Sequence, residues 1–287
     1  MTASLLLSFV FLVHQAGQVS GAGKTSDEQL KQAVQLIKSG KAKQALELLD
    51  RLIRNQPKNQ RAYLLRGIVH EDLDEHKKAI ADFTRVIELG ATTADAVEAW
   101  NHRGSERFKV GDIAGSIADF DEYIKRKPSA EPGHWKRGIS YYYAREFAKG
   151  RQQFRGYEKV DTNDVENAVW HYLCNAQLVG VEKARQQMLK IGNDRRIPMM
   201  KVYDLFKGRA KPEDVIRTAE AGNPPKDLLR RRLFYARLYL GLFYESQGDR
   251  DNALKYLSLA ADEANRGVHH YMWDVARVHR DLLTKRR

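Results

Sequence analysis

WNHRGSERFKVGDIAGSIADFDEYIKRKP, residues 100–128, holds an Arg103-Gly104 step, a Gly111-Asp112 turn and, sixteen residues after Gly104, Phe120. Apolar residues recur with helical spacing on both sides of the turn, and Pro128 closes the second segment, so the stretch reads as two antiparallel helices. The same frame appears before and after it: Arg66-Gly67 is followed by Phe83, and Arg137-Gly138 by Phe154, again sixteen residues on. The three glycines lie 37 and 34 residues apart. A helix pair that returns with a period of about 34 residues cannot bury its own apolar face and must stack on its neighbours.

Aromatic, small-residue and proline landmarks at this period resemble the tetratricopeptide repeat (TPR), with its W-x2-L-G-x2-Y, A-x3-F and P positions. The resemblance implies an all-α fold, a right-handed superhelical TPR solenoid of antiparallel helix pairs with a C-terminal capping helix. It also implies a binding scaffold rather than an enzyme. The units fall at 26–59, 60–93, 97–130 and 131–165; irregular TPR-like helices occupy 166–232, a clean repeat returns at 234–267, and 268–287 form the cap. Ser26 or Asp27 is expected to cap the first helix, and Gly67 to face Ala79 where two helices approach closely. Gly150 stands where alanine is usual, which weakens a helix by about 1 kcal/mol. Trp170, Cys174, Gln177, Ala184 and Met188 fit a degenerate pair, and residues 197–222 are expected to be helical without landmarks. The last helix, about Tyr271 to Thr284, should cover the final exposed apolar face.

The formal charge is +12, and it is unevenly spread. Residues 24–100 hold 13 basic and 12 acidic side chains, residues 101–199 hold 18 and 13, and residues 200–287 hold 18 and 12. The excess therefore lies in the later repeats, where an acidic partner or anionic surface would meet it. Cys174 is the single cysteine and excludes an internal disulfide; it sits at a small-residue packing position. At the N-terminus, residues 5–13 are apolar and residues 15–22 small or polar, which fits a signal peptide over 1–22 cleaved after Gly21 or Ala22. The chain is accordingly expected to be periplasmic or secreted, an uncleaved membrane anchor being the alternative.

Catalytic motifs are absent from the sequence: no phosphate-binding glycine loop, no H-E-x-x-H, no G-x-S-x-G. Adjacent His269 and His270 point about 100° apart on a helix and cannot clasp one metal. No cofactor is expected. The TPR register instead places Asn101 and Phe108, then Trp135 and Tyr142, then His171 and Asn175 on the concave face, and these six are the candidate peptide-binding residues. Rigid amphipathic rings are the residues that dominate binding hot spots.

From His134 to the C-terminus the chain runs Trp135-Lys136-Arg137-Gly138-Ile139-Ser140-Tyr141-Tyr142-Tyr143, then irregular helices, then Tyr239-Leu240-Gly241 with Gly248-Asp249, and His269-His270 before a last helix. In these residues it resembles the NlpI family of bacterial envelope TPR lipoproteins. The resemblance implies an extracytoplasmic adaptor docking a protease or cell-wall hydrolase; the chain lacks that family's lipidated cysteine. The expected function is thus a non-catalytic scaffold that binds a partner protein or peptide in its groove, with a homodimer as a further association. The alternative is an electrostatic binder of an anionic polymer; nucleic acid is disfavoured by the leader.

Overall fold

The computed structural model describes residues 21–285, so the signal peptide expected over 1–22 lies, but for its last two residues, outside the described residues. Those residues form α-helices and short 3-10 turns, with no strand among them. None of their helices is long and apolar enough to cross a membrane. They divide into two compact units, the first ending at Gly90 and the second beginning at Ala91.

In the first unit, α1 (Gly21–Lys38), α2 (Ala42–Asn55), α3 (Gln60–Asp72) and α4 (His76–Leu89) make two helix pairs. Ser26 does not cap a helix: α1 begins before it, and its hydroxyl, buried, donates to Gln56 and accepts from Asn59. Asn59 is the cap one pair later, its side chain accepting from the Ala62 N–H at 3.0 Å. The core of this unit is built from Ala33, Ala45, Leu49, Leu52, Ala62, Leu65 and Val69.

In the second unit, α5 (Ala94–Lys109), α6 (Ile113–Arg126), α7 (Trp135–Tyr143), α8 (Phe147–Gly156) and α9 (Val165–Val179) continue the alternation. The irregular part comprises α10 (Val181–Gln186), α11 (Met199–Phe206) and α12 (Pro212–Glu220), after which α13 (Lys226–Ser246) and α14 (Arg250–Ala260) restore a regular pair before α15 (His270–Lys285). The degenerate pair is shorter than its landmarks suggest: α10 ends at Gln186, and residues 188–195 run without helix.

The sixteen-residue spacing has a steric cause. A Cβ on Gly67 would lie 2.6 Å from the Phe83 ring, on Gly104 2.8 Å from Phe120, and on Gly138 2.7 Å from Phe154. Glycine is therefore the only residue that lets each ring pack on the partner helix. Phe83, rather than the expected Ala79, stands closest to the missing Cβ of Gly67. Gly150 has a similar reason, since a Cβ there would lie 2.8 Å from Cys174 Sγ. Its cost in helix propensity is offset by close packing of α8 on α9.

Beside each steric contact runs a polar one with the same spacing. Arg66 forks onto Asp82 at 2.8 and 2.6 Å, Arg103 onto Asp119 at 2.8 Å through two nitrogens, and Arg137 Nε donates to Gln153 at 2.9 Å. The residue before the glycine thus binds the residue before the phenylalanine, tying the two helices of each pair through largely buried side chains, bidentate where the acceptor is a carboxylate.

Candidate functional site

The inner faces of α5, α7 and α13 in the second unit meet one element, α15. Phe108, 0% exposed, stacks on Tyr271 with ring centroids 5.3 Å apart and planes 19° from parallel. Trp135 meets the same tyrosine edge-on at 5.2 Å, and Lys136 Nζ lies 5.0 Å from its centroid. Further along, Tyr143 Oη is 2.8 Å from His279 Nδ1, His279 Nε2 is 2.7 Å from Glu245, and Tyr142 donates to that carboxylate at 3.4 Å. Rings hold the first turns of α15 and a hydrogen-bonded chain holds its later ones.

Helix ends complete the seat. Arg277 on α15 donates to the carbonyl of Lys109, the last residue of α5, at 2.6 Å, and Arg250 on α14 donates to the Leu283 carbonyl of α15 at 2.8 Å. Both place a cation where a helix leaves carbonyls unpaired and its dipole is negative. Trp273 Nε1 donates to the Asp262 carbonyl at 3.0 Å, anchoring α15 to the segment after α14. At the end of α5, Lys109 and Glu106 form a buried ion pair at 2.6 Å.

Consequently α15 caps the last pair, packing on α14, and also fills the inner face of the second unit. Tyr271 through Ala276 are six consecutive buried residues, Asp274 among them at 1% exposure, and Val278, His279 and Leu283 are buried too. A helix buried on so many sides belongs inside a fold. Beside it lies a cavity of about 40 Å³ lined by Tyr142, Tyr143, Phe147, Gln177, Glu245 and His279. That is room for a water, not a peptide.

Of the six candidate residues, Phe108, Trp135 and Tyr142 line the groove, but their partner is α15, which leaves Phe108 buried and the other two half-buried. Asn101 accepts from His134 Nε2 at 3.1 Å, while His134 Nδ1 accepts from the Arg137 N–H and so caps α7. His171 and Asn175 are not in the groove. Asn175 accepts from Arg151 of α8 and donates to Gln187 after α10, and His171 is 1% exposed. Burial, reinforced by Arg155 and Arg151, pushes the His171 imidazole down to about 4. The groove position of α9 is Trp170 instead, edge-on to Tyr142 at 5.4 Å, with Gln177 two turns later. One residue of register, about 100° of rotation, separates the two assignments.

A second concavity, open and about 570 Å³, lies between the loop before α9 and the segment before α11. Arg196 organises its rim through Asp164 at 2.8 Å, Asp194 at 2.6 Å and Glu166 at 2.5 Å. Burial and the neighbouring Glu166 push the Asp164 carboxyl up to about 6 despite that guanidinium. Backbone N–H groups of Val165 and Glu166 are also taken by Asp194 and Asp164, so these side chains fasten two loops to the start of α9.

Comparison with known proteins bears on the fold. Tetratricopeptide repeat profiles match residues 30–96 and 235–263. A solved tetratricopeptide repeat protein from Parabacteroides merdae superposes with a TM-score of 0.55 at 13% identity, covering 87% of this chain and 99% of its own. The fold is a tetratricopeptide repeat solenoid. The solenoid of MamA, solved as an RS-1 ArsTM double mutant, is similar over 56% of this chain and 89% of its own, with a TM-score of 0.51 at 14% identity. The tetratricopeptide profiles leave out the irregular centre of the second unit, where α9 changes register.

Proposed function

We propose that this solenoid is a non-catalytic scaffold that holds a protein partner. The observation that carries the reading is the seating of α15: the second unit presents a preformed aromatic surface and uses it to grip a helix, the operation a TPR groove performs on its ligands. Because the surface is already ordered, a partner meets it with little loss of backbone freedom.

The partner docks with α15 in place. Displacing that helix would expose Tyr271, Met272, Trp273, Val275, Val278 and Leu283, each buried. At about 1.5–3 kcal/mol per side chain the cost is on the order of 10 kcal/mol, comparable to the whole binding energy of a nanomolar complex, about 12 kcal/mol. Phe108, Trp135 and Tyr142 are therefore assigned to the internal helix, and the partner to a surface outside this groove.

Envelope placement belongs to this reading and rests on the apolar run at 5–13 followed by small residues to 22. With the NlpI resemblance, it makes an exported protease or cell-wall hydrolase the expected partner and self-association a further contact. The test is cross-linking of the tagged full-length chain in its own cells, with fractionation and intact mass of the recovered protein. A defined cross-linked partner and a mass lacking about the first 22 residues are expected. Recovery of the chain alone overturns the scaffold; a full-length cytosolic chain overturns the envelope placement.

A further inference from the structure

Half of the net charge of this protein comes from one short stretch. Residues 181–211 contain nine Lys and Arg against three Asp and Glu, an excess of six out of a total of +12. This stretch is α10, the non-helical run and α11, the part of the second unit that departs from the repeat.

The fold gathers several of these cations. After α11 the chain turns through Gly208 at φ +74°, and a Cβ there would lie 3.1 Å from Arg185 Cδ, so the arginine stem lies flat on the turn. Arg185 Nε donates to the Phe206 carbonyl at 3.3 Å, and Lys207 Nζ reaches the Arg185 carbonyl at 3.5 Å. Capping the end of α11 accounts for Arg185. It does not account for Lys207, which is half-buried, or for exposed Lys190 and Arg209 beside it. Asp204 occupies Arg209 at 2.7 Å, whereas Lys190 and Lys207 form no ion pair among the described residues. Desolvation, then the charges of Arg209 and Lys190, hold the Lys207 ammonium below the usual lysine range.

We propose that Lys190, Lys207 and Arg209 form a docking site for an acidic polypeptide segment of the partner. The inference rests on the scaffold reading and gives it a place and a chemistry. An ammonium has three donors, and Lys207 spends at most one, on a long contact. A carboxylate reaching into the turn supplies the missing acceptor and the missing countercharge together. Two competing occupants fit less well. Single-stranded nucleic acid wants exposed rings for stacking, and the aromatic ring here, Tyr203, is 5% exposed with Arg209 over it at 5.7 Å. A flat anionic bilayer favours the exposed Lys190 and Arg209 over the half-buried Lys207.

The test is binding of a labelled oligoglutamate peptide to the full-length chain across a salt series. Two variants of equal charge are compared: Lys190→Gln/Lys207→Gln, and Lys43→Gln/Lys77→Gln at exposed positions of the first unit. Expected is a loss of about tenfold or more and a shallower salt dependence for the first pair only, with unchanged melting for both. Equal losses in the two pairs would show attraction to net charge alone and overturn the site. So would an oligonucleotide or phosphatidylglycerol vesicles binding through these lysines while the peptide does not. Cross-linking separates the two levels: a partner still captured by Lys190→Gln/Lys207→Gln sinks the site and leaves the scaffold standing, whereas no capture by the unaltered chain sinks the scaffold.

Discussion

Phe108 on α5 and Tyr271 on α15 stack at 5.3 Å, which makes the inner face of the second unit an internal interface. Both rings are buried, at 0% and 5% exposure. Tyr271→Ala removes the ring that Phe108, Trp135 and Lys136 all contact, and should cost about 3–5 kcal/mol in urea denaturation. Tyr271→Phe keeps the stack and should cost less than half as much. If the alanine variant loses under about 1 kcal/mol, α15 is not clamped and the groove is open to partners.

Arg103 and Asp119 offer a test of the repeating polar contact. Their side chains are 8% and 1% exposed, and Arg107 also reaches the carboxylate at 2.9 Å. Asp119→Ala takes away the buried carboxylate that Arg103 and Arg107 share and should destabilise by about 3–5 kcal/mol. Replacing both, as Arg103→Met with Asp119→Leu, should recover most of that loss, since the pair itself contributes little beyond its desolvation cost. Equal losses in the single and double variants would contradict this account.

What the chain discloses before folding follows the range of the interaction. Gly104 and Phe120 are legible because the contact is local, repeated and steric, so it fixes residue types at fixed spacing. The placement of α15 is not legible from spacing, since Tyr271 meets residues from α5 and α7, far away in the chain. Its trace is composition: a cap needs one apolar face, whereas Tyr271, Met272 and Trp273 follow one another around the helix and are all buried once folded. His171 failed for a different reason. The connection between α8 and α9, residues 157–164, carries no landmark to fix the register of α9, and a one-residue change exchanges His171 with Trp170.

Gly104→Ala sets two effects against each other. Alanine gains up to about 1 kcal/mol in helix propensity. Its methyl, however, would sit 2.8 Å from the Phe120 ring, and overpacking costs about 1–3 kcal/mol. A net loss of about 1–2 kcal/mol is expected by thermal denaturation, relieved when Phe120→Ala removes the facing side chain as the source of the clash. Phe120→Leu should not relieve it, because at Gly241, where the facing residue is already a leucine, a Cβ would lie 2.6 Å from Leu257.

Arg145 adopts φ +62° at the turn between α7 and α8, where Gly111 and Gly248 stand in other pairs at +87° and +80°. A left-handed conformation costs a non-glycine residue about 1–2 kcal/mol, and glycine gives back part of that through greater freedom of the unfolded chain. Arg145→Gly should therefore raise stability by up to about 1 kcal/mol. The same substitution removes a guanidinium 5.8 Å from the Phe147 ring, a half-exposed contact of smaller weight. A drop in melting temperature would mean that Arg145 holds the cavity wall and that the turn strain is the lesser effect.

Acid should loosen the second unit through its buried histidines. Burial holds His171 at about 4 and His134 at about 3, against 6.5 for the free side chain. Between those values the unfolded chain binds protons that the folded one refuses, so stability is complete above about pH 6.5 and falls as pH drops toward 4. Asp164 works in the opposite direction: its carboxyl is raised to about 6, so the folded state takes up that proton first and gains as pH falls from about 6 toward 3.8. The two histidines outweigh the one carboxylate, and the urea midpoint should fall between pH 6.5 and 4. His171 has no hydrogen-bond partner at either ring nitrogen among the described residues. His171→Leu should therefore be near neutral at pH 7.5 and should flatten the acid limb by up to about 3 kcal/mol, since each tenfold change in proton affinity is worth about 1.36 kcal/mol. Unfolding curves of both proteins at pH 7.5, 6, 5 and 4 decide it, and parallel acid limbs would show that His171 already takes up its proton in the folded chain.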